Sequence, residues 1–339
     1  MKLYKLFGTV VAGAALTFLA SSAVSDDNAV SAEETLEGTI EFYTSQPDAD
    51  ASALVEAFNE VYPDVTVNIF RSGTEEVIGK INAEQQAGAI QADVLLVADA
   101  VTFESLAADD LLLSYESSEL EGIPEEFIGE DYLYYGTKVM ATIIAYNTDN
   151  VDEAPTSWED LVSEEAAGSV IMPSPAYSGA AAYNAGVFTR NDFGWEFYED
   201  LQANDTTIVQ GNGGALQEVV AGQKDYAMVV DFIVANAKAE GAPVELVYPE
   251  EGVPVITEPI GIMAATDNEE ASQAFVDFVL SAEGQELAQS LGYTPIKEGV
   301  EAPEGLLTID EIDVLEADLE ELVEGREEDV RTFQDIFGE

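Results

Sequence analysis

Cysteine and histidine are both absent from the 339-residue chain. Without cysteine, the protein has no disulfide, no thiolate metal site and no cysteine nucleophile. Without histidine, it also has no Ser-His catalytic pair and no histidine-ligated zinc. Pairs of Asp and Glu side chains remain available for acid-base chemistry, so a secreted hydrolase that works through carboxylates stays open as an alternative.

Basic residues are scarce. The chain has 11 Lys and Arg against 68 Asp and Glu, which gives a net charge of −57. A chain this acidic has no positive surface with which to bind nucleic acid or anionic lipid. Repulsion among the acids destabilises a compact state unless salt screens it, so we infer a saline environment. The hydrophobic fraction of 47% is still enough for a folded core.

The first residues have the three-part order of a secretory signal. Lys2 and Lys5 precede an uncharged, largely apolar run at 6–20, and small residues follow. The pattern predicts a signal peptide over residues 1–25, cleaved after Ala23 or Ser25. A retained membrane anchor is the alternative.

An acidic, polar stretch at 26–37 follows the predicted signal and indicates a flexible lead. No cysteine is present for lipid attachment, so we expect no direct lipid anchor. Together these features predict an exported protein of the periplasm that is soluble once its signal is removed.

Strand and helix patterns alternate after residue 38. Alternating and apolar runs predict strands, whereas apolar residues at helical spacing predict helices. The first five predicted elements are a strand at 39–44, a helix at 51–62, a strand at 65–70, a helix at 74–87 and a strand at 93–97. This β-α-β-α-β order indicates an α/β fold, an open sheet covered by helices.

Two extended apolar segments, at 134–147 and 255–264, flank a second set of strand and helix patterns. They predict two lobes joined by a two-strand hinge, with a ligand cleft between them. The first lobe would comprise residues 38–140 and 265–339, and the second 141–264. We expect the acidic C-terminal helices to pack across both lobes.

Several segments resemble one family, among them FYTSQPDADASALVEAFNEVYPDVTV, MPSPAYSGAA and QEVVAGQKDYAMVVD. They are similar to the extracytoplasmic solute-binding proteins of ABC importers, in the type II family named for ferric-iron binding. That family also includes phosphonate and sugar-phosphate binders. The resemblance implies the type II periplasmic-binding-protein fold, a small-molecule ligand and a membrane permease as partner. It implies a monomer without cofactor and without enzymatic activity.

Ferric iron is an alternative ligand within this family. The resemblance places the family's tyrosine pair at Phe232 and Ile233, its histidine at Pro47, and its carboxylate at Ala98 or Asp99. Phe and Ile offer no anionic oxygen to ferric iron, so we expect no metal site. The Tyr134-Tyr135 pair lies in an extended segment, where packing explains it.

Two loops between a strand and a helix have the composition of an anion site, because backbone N–H groups at helix N-termini attract anions. They consist of Arg71, Ser72, Gly73 and Thr74 in the first lobe, and Tyr177, Ser178, Gly179 and Ala180 in the second. Facing each other, the two N-termini would clamp a phosphate, phosphonate or carboxylate. Plain helix caps, with Glu75 as the partner of Ser72, are the alternative. Arg71 would neutralise the ligand or form a salt bridge.

Further polar residues follow other predicted strands, at the crevice side of an open sheet. The candidates are Ser45, Gln46, Asn212 and Gly213, together with Asp99 and Asp231 as receptors for an ammonium group. The QGNGG segment lacks the glycine spacing of a dinucleotide site, so we exclude dinucleotide binding. The sequence thus predicts a binding protein for a small anionic solute.

Overall fold

A computed structural model describes residues 36–338 of the chain. The predicted signal peptide and the first ten residues of the predicted acidic lead lie outside the described residues. Regular structure begins with a strand at Gly38, where the sequence predicts that order starts.

Eleven strands form in the described part of the chain. They are β1 (Gly38–Thr44), β2 (Val65–Arg71), β3 (Val94–Leu96), β4 (Leu112–Leu113), β5 (Tyr135–Asn147), β6 (Val170–Pro173), β7 (Thr207–Val209), β8 (Tyr226–Val230), β9 (Val244–Val247), β10 (Val255–Met263) and β11 (Thr294–Pro295).

Ten α-helices accompany them over the same residues. They are α1 (Asp48–Val61), α2 (Thr74–Ala87), α3 (Ala100–Ala108), α4 (Gly179–Arg190), α5 (Gly194–Ala203), α6 (Asn212–Val220), α7 (Asp231–Ala239), α8 (Glu269–Leu280), α9 (Ala282–Ser290) and α10 (Leu319–Phe337). Short 3₁₀ turns connect some of these elements, including Trp158–Val162, which begins with a capping box formed by Ser157 and Asp160. No helix in this part of the chain is long and apolar enough to cross a membrane.

The strands belong to one mixed sheet, whose main order is β2-β1-β3-β10-β5-β8-β6-β7. β1 is parallel to β2 and β3, and β6 is parallel to β7 and β8. β10 runs antiparallel to its neighbours β3 and β5. Two parallel groups are therefore joined by antiparallel strands in the middle of the sheet.

The middle strand β5 divides the sheet into two parts. Its first residues pair with β10, from Tyr135 opposite Ile260 to Ala141 opposite Val255. From Thr142 onward it pairs with β8. We call the part with β1 to β4, β10 and β11 the first half-sheet, and the part with β6 to β9 the second half-sheet.

The two extended segments predicted from sequence are β5 and β10. β5 is buried along almost its whole length, which accounts for its apolar composition. Thr142 N donates to Pro254 O (3.0 Å), and β10 then follows β5 back into the first half-sheet. The α/β fold with two crossing strands is confirmed, whereas the residue boundaries of the two lobes stay a prediction.

Each half-sheet has its own aromatic core. In the first, Phe275 packs against both Phe42 and Phe58, and the ring centroids are 4.9 Å apart in each pair. In the second, the fully buried Trp158 packs edge-on to Phe188, 5.0 Å away. The aromatic rings thus fix the helices on each half-sheet separately.

The last helix, α10, lies against helices from both parts. It packs on α4 and α5 beside the second half-sheet and on α3 beside the first. Its buried residues are Leu322, Asp329 and Phe333, which are seven and four positions apart along one face. α10 therefore touches both parts of the molecule.

Candidate functional site

A cavity of about 1130 Å³ lies between the two half-sheets. Loops that follow six parallel strands line it, which is the crevice where open α/β sheets bind ligands. We call this cavity the cleft. Ten of the fourteen residues predicted for the site line it: Ser45, Arg71, Gly73, Thr74, Tyr177, Ser178, Gly179, Ala180, Asn212 and Gly213. Gln46, Ser72, Asp99 and Asp231 are placed elsewhere.

Five helices begin at the cleft, namely α1, α2, α4, α6 and α7. Four of them, all except α4, have no side-chain hydrogen bond at the N-cap. The first amides of a helix have no partner within the helix, so these ends offer N–H donors and a positive dipole. The N-cap of α4 is Ser178, whose hydroxyl accepts from Ala181 N (3.3 Å).

The starts of α2 and α4 touch one another. Glu75 N donates to Tyr177 O (3.4 Å). A Cβ atom at Gly73 would lie 2.5 Å from that same carbonyl oxygen, and one at Gly179 would lie 2.5 Å from Ala98 O. Glycine at both positions allows this close approach. The space directly between the two helix starts is therefore filled by protein, unlike the clamp that the sequence suggests.

The start of α6 is more open. A Cβ atom added at Gly213 would meet nothing within 4 Å. Asn212 holds this loop in place, because its amide oxygen accepts from Val230 N (3.3 Å) and its amide nitrogen donates to Ser178 Oγ (3.4 Å). An anion that approaches α6 at Gly213 thus meets backbone amides at a position that carries no side chain.

Arg71 is the one basic side chain among the described residues that line the cleft. Its Nε donates to the backbone oxygen of Gln46 (2.8 Å) and leaves the other guanidinium nitrogens without a carboxylate. Six of the nine basic residues in the described part of the chain form ion pairs, and Arg71 is not among them. The charge of Arg71 is therefore available to a ligand.

Two of the predicted residues beside Arg71 do not line the cleft. Gln46 is buried, with its backbone oxygen held by Arg71. Ser72 donates to Glu76, and the N-cap of α2 is Gly73, so the capping pair with Glu75 does not form. Ser45 lines the cleft and accepts from Ala98 N (3.4 Å) through its hydroxyl.

The two predicted acidic receptors have partners within the protein. Asp99 caps α3 by accepting from Thr102 N (3.0 Å), and its other oxygen accepts from Arg326 (2.8 Å). Asp231 begins α7 and accepts from the Tyr248 hydroxyl (3.0 Å). Burial raises the pKa of Asp231 to about 6, although the hydrogen bond from Tyr248 opposes this shift. Both carboxylates are buried, so the structure places neither in contact with the cleft.

Sequence reasoning missed the crossing strands as part of the cleft wall. Glu258 of β10 and Tyr293 line it, and Glu258 pairs with Lys138 of β5 (2.6 Å). Lys138 Nζ also lies 4.6 Å from the centre of the Tyr293 ring, which packs against the Phe232 ring with centroids 4.1 Å apart and planes tilted by 31°. A lone Glu within the apolar run VITEPIGIM is the signal that could have revealed this pair.

The tyrosine pair considered for iron lies away from the cleft. Tyr134 donates to Glu104, and Tyr135 donates to the backbone oxygen of Tyr115. Phe232 and Ile233, the residues that the resemblance sets against the family's tyrosine pair, both line the cleft. Over residues 36–338, the structure contains no group of three acidic side chains placed to hold a metal ion.

Comparisons with known proteins point to one family. The family model described as bacterial extracellular solute-binding protein matches residues 53–309. A probable ABC transporter periplasmic-binding protein of Sinorhizobium fredii is 25% identical over 64% of this chain and 63% of its own length. Iron uptake protein A2 of Synechocystis is 25% identical over 77% of this chain and 79% of its own length.

Solved structures show the same fold. The periplasmic binding protein AfuA of Actinobacillus pleuropneumoniae, with fructose-6-phosphate bound, superposes with a TM-score of 0.82 at 22% identity, covering 89% of this chain and 99% of that one. Iron-bound HitA of Pseudomonas aeruginosa gives a TM-score of 0.77 at 24% identity, covering 88% and 99%. At these identities the likeness shows the fold alone.

Proposed function

Because the chain belongs to the bacterial extracellular solute-binding family, we propose that it captures a small organic anion for an ABC importer. The ligand would be a phosphonate, a phosphorylated compound or a similar organic anion. It would bind in the cleft and pass from there to a membrane permease. The observation that carries this proposal is the position of Arg71. This side chain lines the cleft and forms no ion pair with a carboxylate of the described residues, although the chain has 68 acidic residues.

The chemistry of the cleft supports an anion. Arg71 supplies a charge, and the open start of α6 supplies backbone N–H donors. Hydrogen bonds to charged groups contribute roughly 1.5 to 3 kcal/mol each. Three or four of them would approach the free energy of about −8 kcal/mol that corresponds to micromolar affinity.

The size of the cleft favours an organic anion over a bare ion. Pockets for organic ligands range over roughly 300 to 1,000 Å³, and the cleft has about 1130 Å³. The packed rings of Phe232 and Tyr293 provide an apolar wall for the body of such a ligand. A phosphate group with a carbon skeleton attached would use both the polar and the apolar parts.

Calorimetry on the mature protein at molar salt tests this proposal. The panel would pair each anion with its parent, the same compound without its phosphorus group: fructose 6-phosphate with fructose, and aminoethylphosphonate with ethylamine, with inorganic phosphate, citrate and ferric citrate alongside. We expect at least one organic phosphate or phosphonate to bind with micromolar affinity and its parent to bind far more weakly. Equal binding of parent and anion would contradict the proposal. Neither Trp158 nor Trp195 lines the cleft, so heat is a more direct readout than tryptophan fluorescence.

Ferric iron is the second candidate, because the HitA structure is described as iron-bound and iron uptake protein A2 is named for iron. The same panel decides between the two. Tight binding of ferric citrate, with no response to citrate alone or to the organic phosphates, would replace the anion by iron. Product formation during incubation with phosphoesters or glycosides would favour the carboxylate-dependent hydrolase instead.

We also propose export to the periplasm as a monomer. The family is extracellular, and the N-terminal pattern is that of a cleaved signal. N-terminal sequencing of the exported protein should begin after Ala23 or Ser25. Light scattering after size-exclusion chromatography should give the mass of one mature chain, and a retained residue 1 would contradict cleavage.

A further inference from the structure

Arg326 lies in the middle of α10 and binds two carboxylates at once. Its Nη1 is 2.8 Å from Asp99 Oδ2, and its Nη2 is 2.8 Å from Glu75 Oε1. The Arg326 side chain is 15% exposed and that of Asp99 is 1% exposed, so water screens the pair with Asp99 poorly. Burial by itself lowers the pKa of Arg326, but Asp99 and Glu75 together raise it above its ordinary value.

Both partners of Arg326 belong to the side of the first half-sheet. Glu75 lies in the first turn of α2, directly after the cleft-lining residues Gly73 and Thr74. Asp99 is the N-cap of α3 and directly follows Ala98, which also lines the cleft. Arg326 therefore holds two loops of the first part from behind, one residue away from the cleft surface.

The rest of α10 is fastened to the side of the second half-sheet. Arg190 of α4 forms an ion pair with Asp329 (2.7 Å) and donates to the backbone oxygen of Glu321 (3.0 Å). Phe333 packs on Tyr198 of α5, with ring centroids 5.4 Å apart.

The contact between α10 and α4 is also very close. A Cβ atom at Gly325 would lie 1.9 Å from Arg190 Nη2, and one at Gly186 would lie 2.6 Å from Leu322 Cδ2. Glycine at these two positions lets the helices approach each other to this distance. Any movement of α4 must therefore carry α10 with it.

The attachment of α10 to the first part is smaller. Besides Arg326, Leu322 packs in a small apolar cluster with Val101 of α3 and Val187 of α4. Arg326 forms the ion pairs of this attachment. Opening the cleft would pull Arg326 away from Asp99 and Glu75 and break both ion pairs.

We propose that Arg326 is a latch that keeps the two parts closed and positions the loops of Gly73 and Ala98 at the cleft. It acts through Asp99 and Glu75 and touches no ligand. Its role in ligand affinity rests on the proposed function, whereas its role in closure does not. The latch favours the closed form before any ligand arrives, so a ligand needs to supply less of the free energy of closure.

Distance measurements between spin labels test the latch without a ligand. The chain has no cysteine, so Glu60→Cys on α1 and Gln202→Cys on α5 give two unique labelling sites, both exposed. Pulsed electron paramagnetic resonance would measure the distance between the two labels in the otherwise unchanged protein and in the variants Arg326→Gln and Glu75→Gln. Arg331→Gln is the matched control, because Arg331 is an exposed residue of the same helix.

We expect one short distance in the unchanged protein and in Arg331→Gln. Arg326→Gln should add a longer distance and raise the open fraction on the order of tenfold. Glu75→Gln keeps the bond to Asp99 and should give a smaller increase. If Arg326→Gln does not fold, the increase of the open fraction in Glu75→Gln tests the latch instead. Unchanged distances in every folded variant would overturn the latch.

Ligand binding then separates the two proposals. If a panel member binds, Arg326→Gln should weaken its affinity on the order of tenfold, and Arg331→Gln should leave it unchanged. If no panel member binds, the proposed function fails while the distance change in Arg326→Gln still supports the latch. A variant that opens fully yet keeps its ligand affinity would remove the positioning role.

Discussion

At the scale of single residues, Arg71 is the side chain on which anion binding depends most. It lines the cleft, and its only hydrogen bond among the described residues goes to the backbone of Gln46. The Arg71→Gln variant should weaken the affinity for an anionic ligand about tenfold to hundredfold, since it removes one charge-assisted hydrogen bond. Calorimetry with the best organic anion of the panel measures this loss.

Arg331→Gln is the control for Arg71→Gln, because it removes the same charge from an exposed site on α10. An equal loss of affinity in both variants would mean that total charge, and not the position of Arg71, determines binding. Unfolding midpoints of the two variants should agree with that of the unchanged protein.

Asp231 predicts a dependence of stability on pH. Burial raises its pKa in the folded protein to about 6, above the ordinary value of 3.8. Between these values the folded state binds more protons than the unfolded state, so the stability that Asp231 contributes is complete below about pH 4. It is lost as the pH rises through 6. The loss is on the order of 3 kcal/mol at most.

The Asp231→Asn variant removes this titration and keeps an oxygen for the Tyr248 hydroxyl. We expect the free energy of unfolding to change less between pH 4 and pH 7 in Asp231→Asn than in the unchanged protein, as measured by urea unfolding at one high salt concentration. Asp152→Asn, at an exposed position, should keep the original slope. Parallel curves for all three proteins would contradict the assignment.

At the scale of elements, the contact between α2 and α4 gives two opposite predictions for two glycines. Gly73→Ala places a Cβ atom 2.5 Å from Tyr177 O, so the two helix starts must separate. We expect a loss of roughly 1 to 3 kcal/mol in the free energy of unfolding. Gly79→Ala, inside α2 with nothing within 4 Å, should stabilise by about 0.5 to 1 kcal/mol. Urea unfolding of both variants decides, and equal effects would contradict the close contact.

Much of the fold could be predicted from the sequence because the crossing strands are long and apolar. The segment at 134–147 corresponds to β5 (Tyr135–Asn147), and that at 255–264 to β10 (Val255–Met263). Short or polar elements were missed. β7 has three half-buried residues, and α7 begins with a buried Asp, so neither has a periodic apolar pattern long enough to be recognised.

The candidate site was less predictable than the fold. Loops after strands could be found locally, and ten of the fourteen candidates do line the cleft. Asp99 is one of the four candidates that do not line the cleft. Its partner Arg326 lies 227 positions further along the chain. Tyr293 and Glu258 reach the cleft by tertiary packing in the same way, and no local pattern reports such contacts.

At the scale of the whole molecule, the net charge of −57 governs how stability responds to salt. Six of the nine basic residues in the described part already form ion pairs, so most acidic side chains have no cation beside them. We expect the urea midpoint of the mature protein to rise steeply with salt as the screening length falls from about 10 Å at 0.1 M to 3 Å at 1 M.

Sodium and potassium chloride should act alike in this titration, because screening depends on ionic strength. Sucrose at the same osmolality is the control, since it carries no charge. A midpoint that is independent of salt, or that rises equally in sucrose, would contradict the inferred saline environment. Anion capture should also weaken in low salt, where the field of the acids repels the ligand most strongly.

The path of β10 through the sheet determines the order in which the chain can fold. Leu96 of β3 pairs with Ile260, 164 positions further along. The first half-sheet therefore stays incomplete until nearly the whole chain has been made, whereas β6 to β9 come from one continuous stretch. Contacts this distant in sequence slow folding. A nascent chain would consequently lack this part of its core for most of its synthesis, a property that would suit the export proposed above.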